Sequence, residues 1–562
     1  MRRQLASSLG WLFLVMLAGT THSVAWADSP AKPGEENPSA TAAAKLPDDP
    51  EAVMERGLSQ ERSREWTAAI ETYHDAMERW PSRTDFGRRL RLCEIHFKLN
   101  RRYSDTSFRN ILLRLPHEQA LDLYDEVLER IQTSYVDPVP LEPLLRHGLD
   151  NLEVALRDPV FIKTNAPAAT AERVNSLRDT LKRYRASLSI PDRSTALRMA
   201  LASCEAAQQG IGLASTPVLM ELTSGACDAL DDFTSYLTPD KLEDLYAMID
   251  GNFVGLGVEL KLDKDGLRLV GVIRGGPAFD AGIKAGELII SIDGRALKGL
   301  SLDEAANRLQ GTEGTSVQIA TQSTDGKTRN HQLVRRHVDV ESVVGVKILS
   351  PSEGIGYLQL TGFQKSSAEE VDRALNTLAG QGMRILVLDL RGNPGGLLNV
   401  AVEIAERFID QGLVVSTRGR AHGQTQSLGT RGLAKWRMPM YVLVDRDSAS
   451  ASEILAGALQ DHNRATILGA RTYGKGSVQS IFSLRSAPAG LKLTTAKFYS
   501  PHNRPYSEQG VNPDIPIALR SAAKPAGPAN AIREDFQFGD PERDLILSAA
   551  IRTAKERSQP AQ

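Results

Sequence analysis

Apolar residues recur at spacings of three and four through the first half of the chain, which predicts helices there. The clearest early helix runs from Trp66 to Met77 and ends before Pro81, and amphipathic helical runs continue over 117–245. Beyond residue 250 the apolar period changes to two, which is typical of strands. Short strands are predicted at 253–260, 267–273, 288–292 and 317–320, with a helix at 302–309.

After a hairpin near Asp325-Gly326, strands and helices alternate, which indicates a sheet covered by helices. The predicted strands lie at 354–360, 384–390 and 441–444, and the predicted helices at 368–379, 397–409 and 453–459. Strand-like segments follow near 491–499, and an amphipathic helix is predicted at 542–553. We therefore expect a multidomain α+β fold: an N-terminal α-helical region, a partly open β-barrel, and an α/β domain with a mixed sheet.

The N-terminus has the pattern of a secretory signal peptide. Two arginines precede an apolar run, Trp11–Ala18, and Ala25-Trp26-Ala27 offers a cleavage site. An uncleaved membrane anchor is the alternative, and it is the only membrane contact we expect. Residues 28–50 are rich in Pro, Ala, Ser and Glu without periodicity, which predicts a disordered spacer. The protein is thus expected to be exported, to the periplasm or cell envelope.

Composition excludes several classes of function. The chain has 562 residues, with 67 Lys and Arg against 69 Asp and Glu, a net charge of −2. It therefore lacks the basic excess that nucleic-acid binding needs. Its three cysteines show no CxxC spacing, so neither a disulfide framework nor a cysteine zinc site is expected. HExxH is absent as well, and we predict no metal and no cofactor.

One segment approaches a phosphate-binding loop. Gly469–Lys475 matches its first seven positions, but Gly476 stands where the loop needs Ser or Thr. The next residues, 477–482, alternate like a strand, whereas a P-loop must open a helix. We therefore reject nucleotide binding.

The strongest candidate chemistry lies where strand 441–444 is followed by serines and a helix. Backbone N–H groups at such a junction are unpaired and can stabilise an oxyanion beside Ser450. The alternative is structural, because Ser450 and Glu453 also form the S-x-x-E capping box. Lys475 lies between two glycines and can serve as a general base only if burial keeps it neutral. A surface lysine is the alternative there.

Two smaller resemblances describe the modules before this region. The spacing A-x3-Y-x2-A followed by Pro81 resembles the second helix of a tetratricopeptide repeat, with 90–103 as a second repeat or its cap. A plain helical hairpin is equally compatible, and either would offer a surface for an adaptor or for self-association. The ordered segments GLGV, GGPAFDAGIKAGELIISIDG and LQGTEGTSV resemble a PDZ domain. That resemblance implies that a peptide C-terminus binds at Gly255, Leu256, Gly257 and Val258.

Longer runs resemble the C-terminal processing peptidases, also called tail-specific proteases. The runs are SASASEILAGALQDHNRATILGARTYGKGSVQ, LVLDLRGNPGGLLNVAVEIAERF, and LKLTTAKFYSP with GVNPDIP, and the PDZ-like module precedes them as in that family. The resemblance implies a Ser–Lys serine protease that acts on proteins with exposed C-terminal tails. It assigns these roles: Ser450 as nucleophile, Lys475 as general base, Gln479 as the residue orienting the lysine, Ala451 and Gly396 as oxyanion donors, and Asp461 as structural.

The expected organisation follows from these segments. We expect a signal peptide at 1–27, a spacer at 28–50, a repeat-like helical region at 51–116, a helical region at 117–244, a PDZ domain at 245–325, a protease domain at 326–520, and a linker with a C-terminal helix at 521–562. The predicted function is an exported serine endopeptidase. A non-catalytic PDZ and repeat scaffold, and a Ser–Lys esterase of small acyl substrates, are the alternatives.

Overall fold

The first half of the described chain is helical. The structure, a computed structural model, describes residues 13–15, 49–298, 305, 308–309, 311, 313–432, 434–517 and 539–558. Helices α1 to α11 span Pro50–Arg62, Trp66–Arg79, Thr84–Ser104, Thr106–Asn110, His117–Ser134, Leu141–Ala155, Pro159–Asn165, Ala171–Ala186, Arg193–Ile211, Ser215–Asp228 and Pro239–Asp250, with a 3-10 turn at Leu112–Arg114. Two short strands belong to this half of the sequence, β1 (Phe13–Val15) and β2 (Ser235–Leu237). Apart from β1 and residues 49–50, the predicted signal peptide and spacer lie outside the described residues.

Helices α1 to α3 form a small unit with its own core, which includes Val53, Tyr73 and Phe86. Helix α2 covers the predicted helix and ends just before Pro81. Residues 90–103, expected as a second helical pair or a cap, lie within the single 21-residue helix α3. The tetratricopeptide likeness stays a prediction. Among the described residues, we find no helix with both the length and the hydropathy of a membrane span.

The PDZ-like module is a five-stranded sheet with a short side strand. Strands β3 to β10 span Asn252–Gly255, Val258–Asp263, Gly266–Val272, Leu288–Ile292, Arg295–Ala296, Ser316–Gln322, Thr328–Val334 and Arg336–Asp339, and helix α12 spans Pro277–Asp280. The sheet order is β4-β5-β6-β8-β9 with β7 beside β6, and β3 pairs separately with β10. The predicted boundary at 325 falls between β8 and β9, so the module extends through Val334. Most of the helix predicted at 302–309 lies outside the described residues.

The region predicted as the protease domain, which we call the two-sheet region, is built on two sheets. Strands β11 to β21 span Val343–Ser350, Ile355–Leu360, Ile385–Asp389, Gly396–Leu397, Gln411–Gly419, Gln426–Arg431, Met440–Val444, Thr466–Gly469, Ser477–Ser483, Gly490–Tyr499 and Ile515–Pro516. Helices α13 to α16 span Ser367–Gly380, Leu398–Glu406, Ala451–Asp461 and Leu545–Ser558. The first sheet, β11-β12-β13-β17-β18-β21, is parallel except for its edge strand β11. The second, antiparallel sheet has the order β14-β1-β19-β20-β15-β16, with β2 beside β20.

Both faces of the parallel sheet are buried, which accounts for its continuous apolar strands such as 385–388. Helices α13 to α15 cover one face, and the C-terminal helix α16 covers the other. Arg391 is 1% exposed and donates to Asp389 and to Asp544, at 2.7 Å from its Nη1 to Asp544 Oδ1. Burial and the two carboxylates act in opposite directions, and the carboxylates keep the pKa of Arg391 above its usual value. This ion pair joins the start of α16 to the end of β13.

The helical region and the two-sheet region share one core. Apolar residues of α5, α6, α9 and α10 pack against Leu491 and Leu493 on β20 and Phe482 on β19. Strand β2 extends the second sheet, with Ser235 opposite Lys492. The segment 117–244, predicted as a helical region, therefore packs directly against the second sheet.

Candidate active site

Ser450 lies at a sharp turn between β17 and α15. Its backbone has φ 62° and ψ −115°, a conformation that costs a non-glycine residue about 1–3 kcal/mol. The side chain is fully buried. Strain concentrated at one serine between a strand and a helix is the arrangement by which several hydrolases present a nucleophile.

The three serines of the run 448–452 make different contacts. Ser448 Oγ donates to the Leu390 carbonyl at 2.9 Å, and Ser452 Oγ donates to the Asn393 carbonyl at 2.9 Å. Ser450 Oγ has no hydrogen-bond partner among the described residues. The hydroxyls of Ser448 and Ser452 thus fix the turn, whereas the hydroxyl of Ser450 makes no structural hydrogen bond among the described residues.

The Glu453 carboxylate joins the serine turn to the lysine loop. Its Oε2 accepts the backbone N–H of Ser450 at 2.7 Å and that of Lys475 at 3.0 Å. Its Oε1 accepts Thr472 Oγ1 at 2.6 Å and the Gly474 N–H at 2.7 Å. The glutamate of the predicted capping box therefore accepts the backbone N–H of Ser450, and the same carboxylate holds the backbone of Ser450 near that of Lys475. Ser450 Oγ and Lys475 Nζ are not hydrogen-bonded to each other in this structure. The structural and the catalytic interpretation of the S-x-x-E motif are compatible.

Lys475 is 2% exposed, and its Nζ has no hydrogen-bond partner among the described residues. Burial, reinforced by the positive charge of Lys492, lowers the pKa of Lys475 to about 7, whereas the carboxylates of Glu453 and Asp231 oppose that shift. A large fraction of the amine is therefore neutral near pH 7. The alternative of a surface lysine does not hold.

Gln479 follows the lysine on β19 and is fully buried. Its Nε2 donates to Ser477 Oγ at 3.0 Å and to Thr494 Oγ1 at 3.2 Å. Its Oε1 has no partner among the described residues, and neither has Lys475 Nζ. The hydrogen bond from lysine to glutamine that the resemblance implies is not formed in this structure.

The loop 391–396 lies against the serine turn. Asn393 is fully buried and accepts the Ala449 N–H on its backbone oxygen at 3.0 Å. A Cβ on Gly395, which has φ 105°, would lie 2.8 Å from the Ser450 Cβ, so this approach requires glycine. The Gly395 N–H donates to Asn393 Oδ1 at 2.8 Å and is not available to a substrate. Of the predicted oxyanion donors, Gly396 ends this loop and begins β14, and Ala451 begins helix α15.

Strand β1 lies between β14 and β19, antiparallel to both. In its register, Val15 is opposite Gly396, and Leu14 is opposite Leu397 on one side and Gln479 on the other. The space between the predicted oxyanion loop and the strand of Gln479 therefore holds an extended polypeptide backbone.

The remaining predicted residues lie away from this centre. Gly255 ends β3, Val258 begins β4, and Leu256 and Gly257 form the turn between them, with Gly257 at φ 73°. Asp461 ends α15, about 15 Å along the helix from Ser450, where it accepts the backbone N–H of His502 and pairs with Arg504.

Sequence reasoning missed three residues of the site. Glu453 was visible only as a helix cap, and Asn393 only as part of a quoted run. Phe233, whose ring centroid lies 4.8 Å from Lys475 Nζ, gave no signal at all, because it is a single aromatic residue in a segment without periodicity.

Comparison with known proteins agrees with this architecture. A profile of peptidase family S41 matches residues 354–517, and a PDZ domain profile matches residues 268–322. A carboxyl-terminal-processing protease of Synechocystis sp. is 34% identical over 337 residues, which is 59% of this chain and 77% of the relative. A carboxy-terminal-processing protease of Bartonella bacilliformis is 36% identical over 300 residues, which is 52% of this chain and 68% of the relative.

A solved structure, the photosystem II D1 C-terminal processing protease, is 27% identical over 71% of this chain and 93% of its own, with a TM-score of 0.37. The two sequence relatives match well beyond the protease domain alone, and this chain covers more than two thirds of each. The chain belongs to peptidase family S41, as a carboxyl-terminal-processing protease with a PDZ domain.

Proposed function

We propose that this protein is an exported serine endopeptidase that cleaves proteins at or near their C-termini, with Ser450 as nucleophile and Lys475 as general base. The observation that carries the proposal is the buried, unpartnered amine of Lys475, whose pKa lies at about 7. Its backbone N–H and that of Ser450 donate to the same oxygen of Glu453. Ser–Lys acyl transfer needs a neutral lysine amine that can take the serine proton, and here Glu453 holds the lysine loop to the serine turn while both side-chain groups stay unpartnered.

The reaction begins when Ser450 Oγ attacks the substrate carbonyl carbon while its proton passes to Lys475 Nζ. The backbone N–H groups of Ala451 and Gly396 then hold the oxyanion of the tetrahedral intermediate. As the C–N bond breaks, the lysine ammonium returns the proton to the leaving amine. Water next attacks the acyl-enzyme, giving one proton to Lys475, and the second tetrahedral intermediate releases the new C-terminus and restores the Ser450 hydroxyl.

Two features support a polypeptide substrate. The first is the position of β1. This extended segment pairs with β14 on one side and with β19 on the other, next to the loop 391–396 that contacts the serine turn, so the same place can hold an extended peptide. The second is β4 of the PDZ domain, which pairs only with β5 among the described strands and so leaves one edge open. The turn at Leu256 and Gly257 precedes that edge, where we propose that the substrate's C-terminal carboxylate binds.

Export rests on the N-terminal sequence alone. The arginines, the apolar run and the A-x-A site favour secretion, and we propose the periplasm or cell envelope as the place of action. We further propose helices α1 to α3 as the contact surface for an adaptor or a second copy.

The test compares an unfolded protein carrying an apolar C-terminal tail with a small acyl ester. We expect the wild type to cleave the protein, and Ser450→Ala and Lys475→Met to lose at least about 10³-fold in kcat/KM. Ser452→Ala is the matched serine control, since its hydroxyl only supports the turn, and it should retain measurable cleavage. Full proteolysis by Ser450→Ala would refute the mechanism. Tail binding without cleavage by the wild type would support a scaffold, and ester turnover without proteolysis would support an esterase.

A further inference from the structure

The amine of Lys475 is covered by a side chain from the helical half of the chain. The ring centroid of Phe233 lies 4.8 Å from Nζ, within the range of a cation–π contact. Phe233 lies between α10 and β2, well before residue 354, where the match to the protease profile begins. The profile match therefore does not include this residue.

The turn that carries Phe233 is held at both ends. Asp231 Oδ1 accepts the backbone N–H groups of Phe233 at 3.1 Å and Thr234 at 2.8 Å, which makes a compact Asx turn. Asp231 Oδ2 accepts Tyr135 Oη at 3.3 Å, and Thr234 Oγ1 accepts the Thr494 N–H at 3.4 Å. The turn that carries the ring is thus fixed between Tyr135, which follows helix α5, and strand β20, with the ring 4.8 Å from the lysine amine.

We propose that Phe233 is a positioning residue for catalysis: its ring excludes water from Lys475 Nζ and thereby keeps the general base neutral. This inference rests on the proposed role of Lys475. The ring has two opposing effects on the amine. Its π face attracts the ammonium form and favours protonation, whereas its bulk removes water that would solvate the ammonium and favours the neutral form.

The charges around the amine come from three elements. Lys492 on β20 disfavours the ammonium, whereas Glu453 on α15 and Asp231 in the turn favour it. The pKa of Lys475 is lowered despite two carboxylates and an aromatic face, and burial is the largest cause. Exclusion of water therefore outweighs the attraction of the ring, and Phe233 supplies part of that exclusion.

Two substitutions separate the two effects of the ring. Phe233→Ala admits water to Nζ, so the pKa of Lys475 should rise by about one unit or more. Phe233→Leu keeps an apolar cover and removes the π face, so the pKa should stay or fall. Phe482→Leu is the matched control, because it alters the core shared by the helices and β19 without touching the lysine, and it should leave the pKa unchanged.

The pKa is measured in two ways on the full chain. The first is the pH profile of kcat/KM on an unfolded protein, whose acid limb should move to higher pH only in Phe233→Ala. At pH values below the limb, kcat/KM should fall roughly tenfold for each unit by which the pKa of Lys475 rises. NMR titration of 13C-labelled lysine in the Ser450→Ala background, with Lys475→Met for assignment, gives the pKa without activity.

The outcomes distinguish the inference from the proposed function. Unchanged titration of Lys475 in Phe233→Ala would overturn the role of Phe233 while the dyad stands, whereas activity in Lys475→Met would overturn the dyad itself. If Phe233→Ala does not fold, Phe233→Leu decides the question. A raised pKa of Lys475 in Phe233→Leu would mean that the π face of Phe233 lowers that pKa, and this would overturn the inference. An unchanged or lowered pKa of Lys475 would support the role of an apolar side chain that excludes water.

Discussion

Glu453 offers the sharpest test of how the site is held together. Its two carboxylate oxygens accept four donors, two on each oxygen. Glu453→Gln keeps the size of the side chain and one accepting oxygen, but it places an NH2 group opposite the other two donors. Those donors then lose their partner in a fully buried site. If the NH2 group replaces Oε2, the donors that lose their acceptor are the backbone N–H groups of Ser450 and Lys475. If it replaces Oε1, they are Thr472 Oγ1 and the Gly474 N–H.

The magnitude follows from those contacts. A hydrogen bond to a charged group contributes about 1.5–3 kcal/mol, so two lost contacts amount to about 3–6 kcal/mol. If half of that loss is expressed in the transition state, kcat/KM falls roughly 10- to 100-fold. The substitution also removes a negative charge that raises the pKa of Lys475, so the acid limb of the pH profile should move to lower pH.

The assay is the pH profile of kcat/KM with an unfolded protein substrate, measured beside Glu369→Gln. Glu369 is exposed in the first turn of α13, so the same change there should alter neither activity nor the limb. Wild-type activity in Glu453→Gln, or a limb displaced to higher pH, would refute the reasoning. Lower activity with the limb displaced downward would support it.

Two stability predictions follow from buried charge. Asp544→Asn removes a charged partner of buried Arg391, so urea titrations should show the free energy of unfolding lowered by about 3–5 kcal/mol. The control Glu542→Gln, at an exposed position, should leave the free energy of unfolding nearly unchanged. An equally small effect of both substitutions would contradict a stabilising ion pair. Lys475 has its pKa lowered in the folded state from 10.5 to about 7, so the unfolded chain binds the extra proton between those values. Stability therefore rises with pH across that window, and below it the buried lysine costs about 5 kcal/mol. Lys475→Met should raise Tm most at pH 7 and below, and this increase should disappear near pH 10.5. The control Lys497→Met, at a more exposed site, should show no such pH-dependent increase in Tm. An increase in Tm of Lys475→Met that does not depend on pH would refute the lowered pKa.

Regular elements were predictable where the apolar period was strong. Strand 288–292 lies where alternation predicts it, and the predicted strand 384–390 lies within one residue of Ile385–Asp389 at each end. The predicted strand 253–260 is instead broken at Leu256 and Gly257, because Gly257 adopts a positive φ and separates β3 from β4. A periodic pattern records which face is buried and does not record such a break.

Contacts between distant segments were not predictable. Arg391 and Asp544 are 153 residues apart, and each alone is an ordinary charged residue in the sequence. The predicted PDZ boundary at 325 falls inside the β8–β9 hairpin, because the sequence marks the turn at Asp325-Gly326 but does not show which module the second strand joins. At the site, residue patterns alone left Ser450 open between cap and nucleophile, and the structure explains why: Glu453 accepts the serine's backbone N–H and leaves its hydroxyl unpartnered.

The protease profile covers 354–517, yet the environment of the lysine depends on residues outside it. Leu491 and Leu493 on β20 are buried by the helices of the first half, and β2 pairs with the same strand. Without those helices this face of the sheet would be exposed, and Phe233 would no longer cover Lys475. Water would then reach the amine and raise its pKa toward 10.5, so that little neutral base would exist at pH 7. Under the proposed role of Lys475 as general base, the helical half therefore contributes to the active site, because it supplies part of the desolvation that keeps the amine neutral.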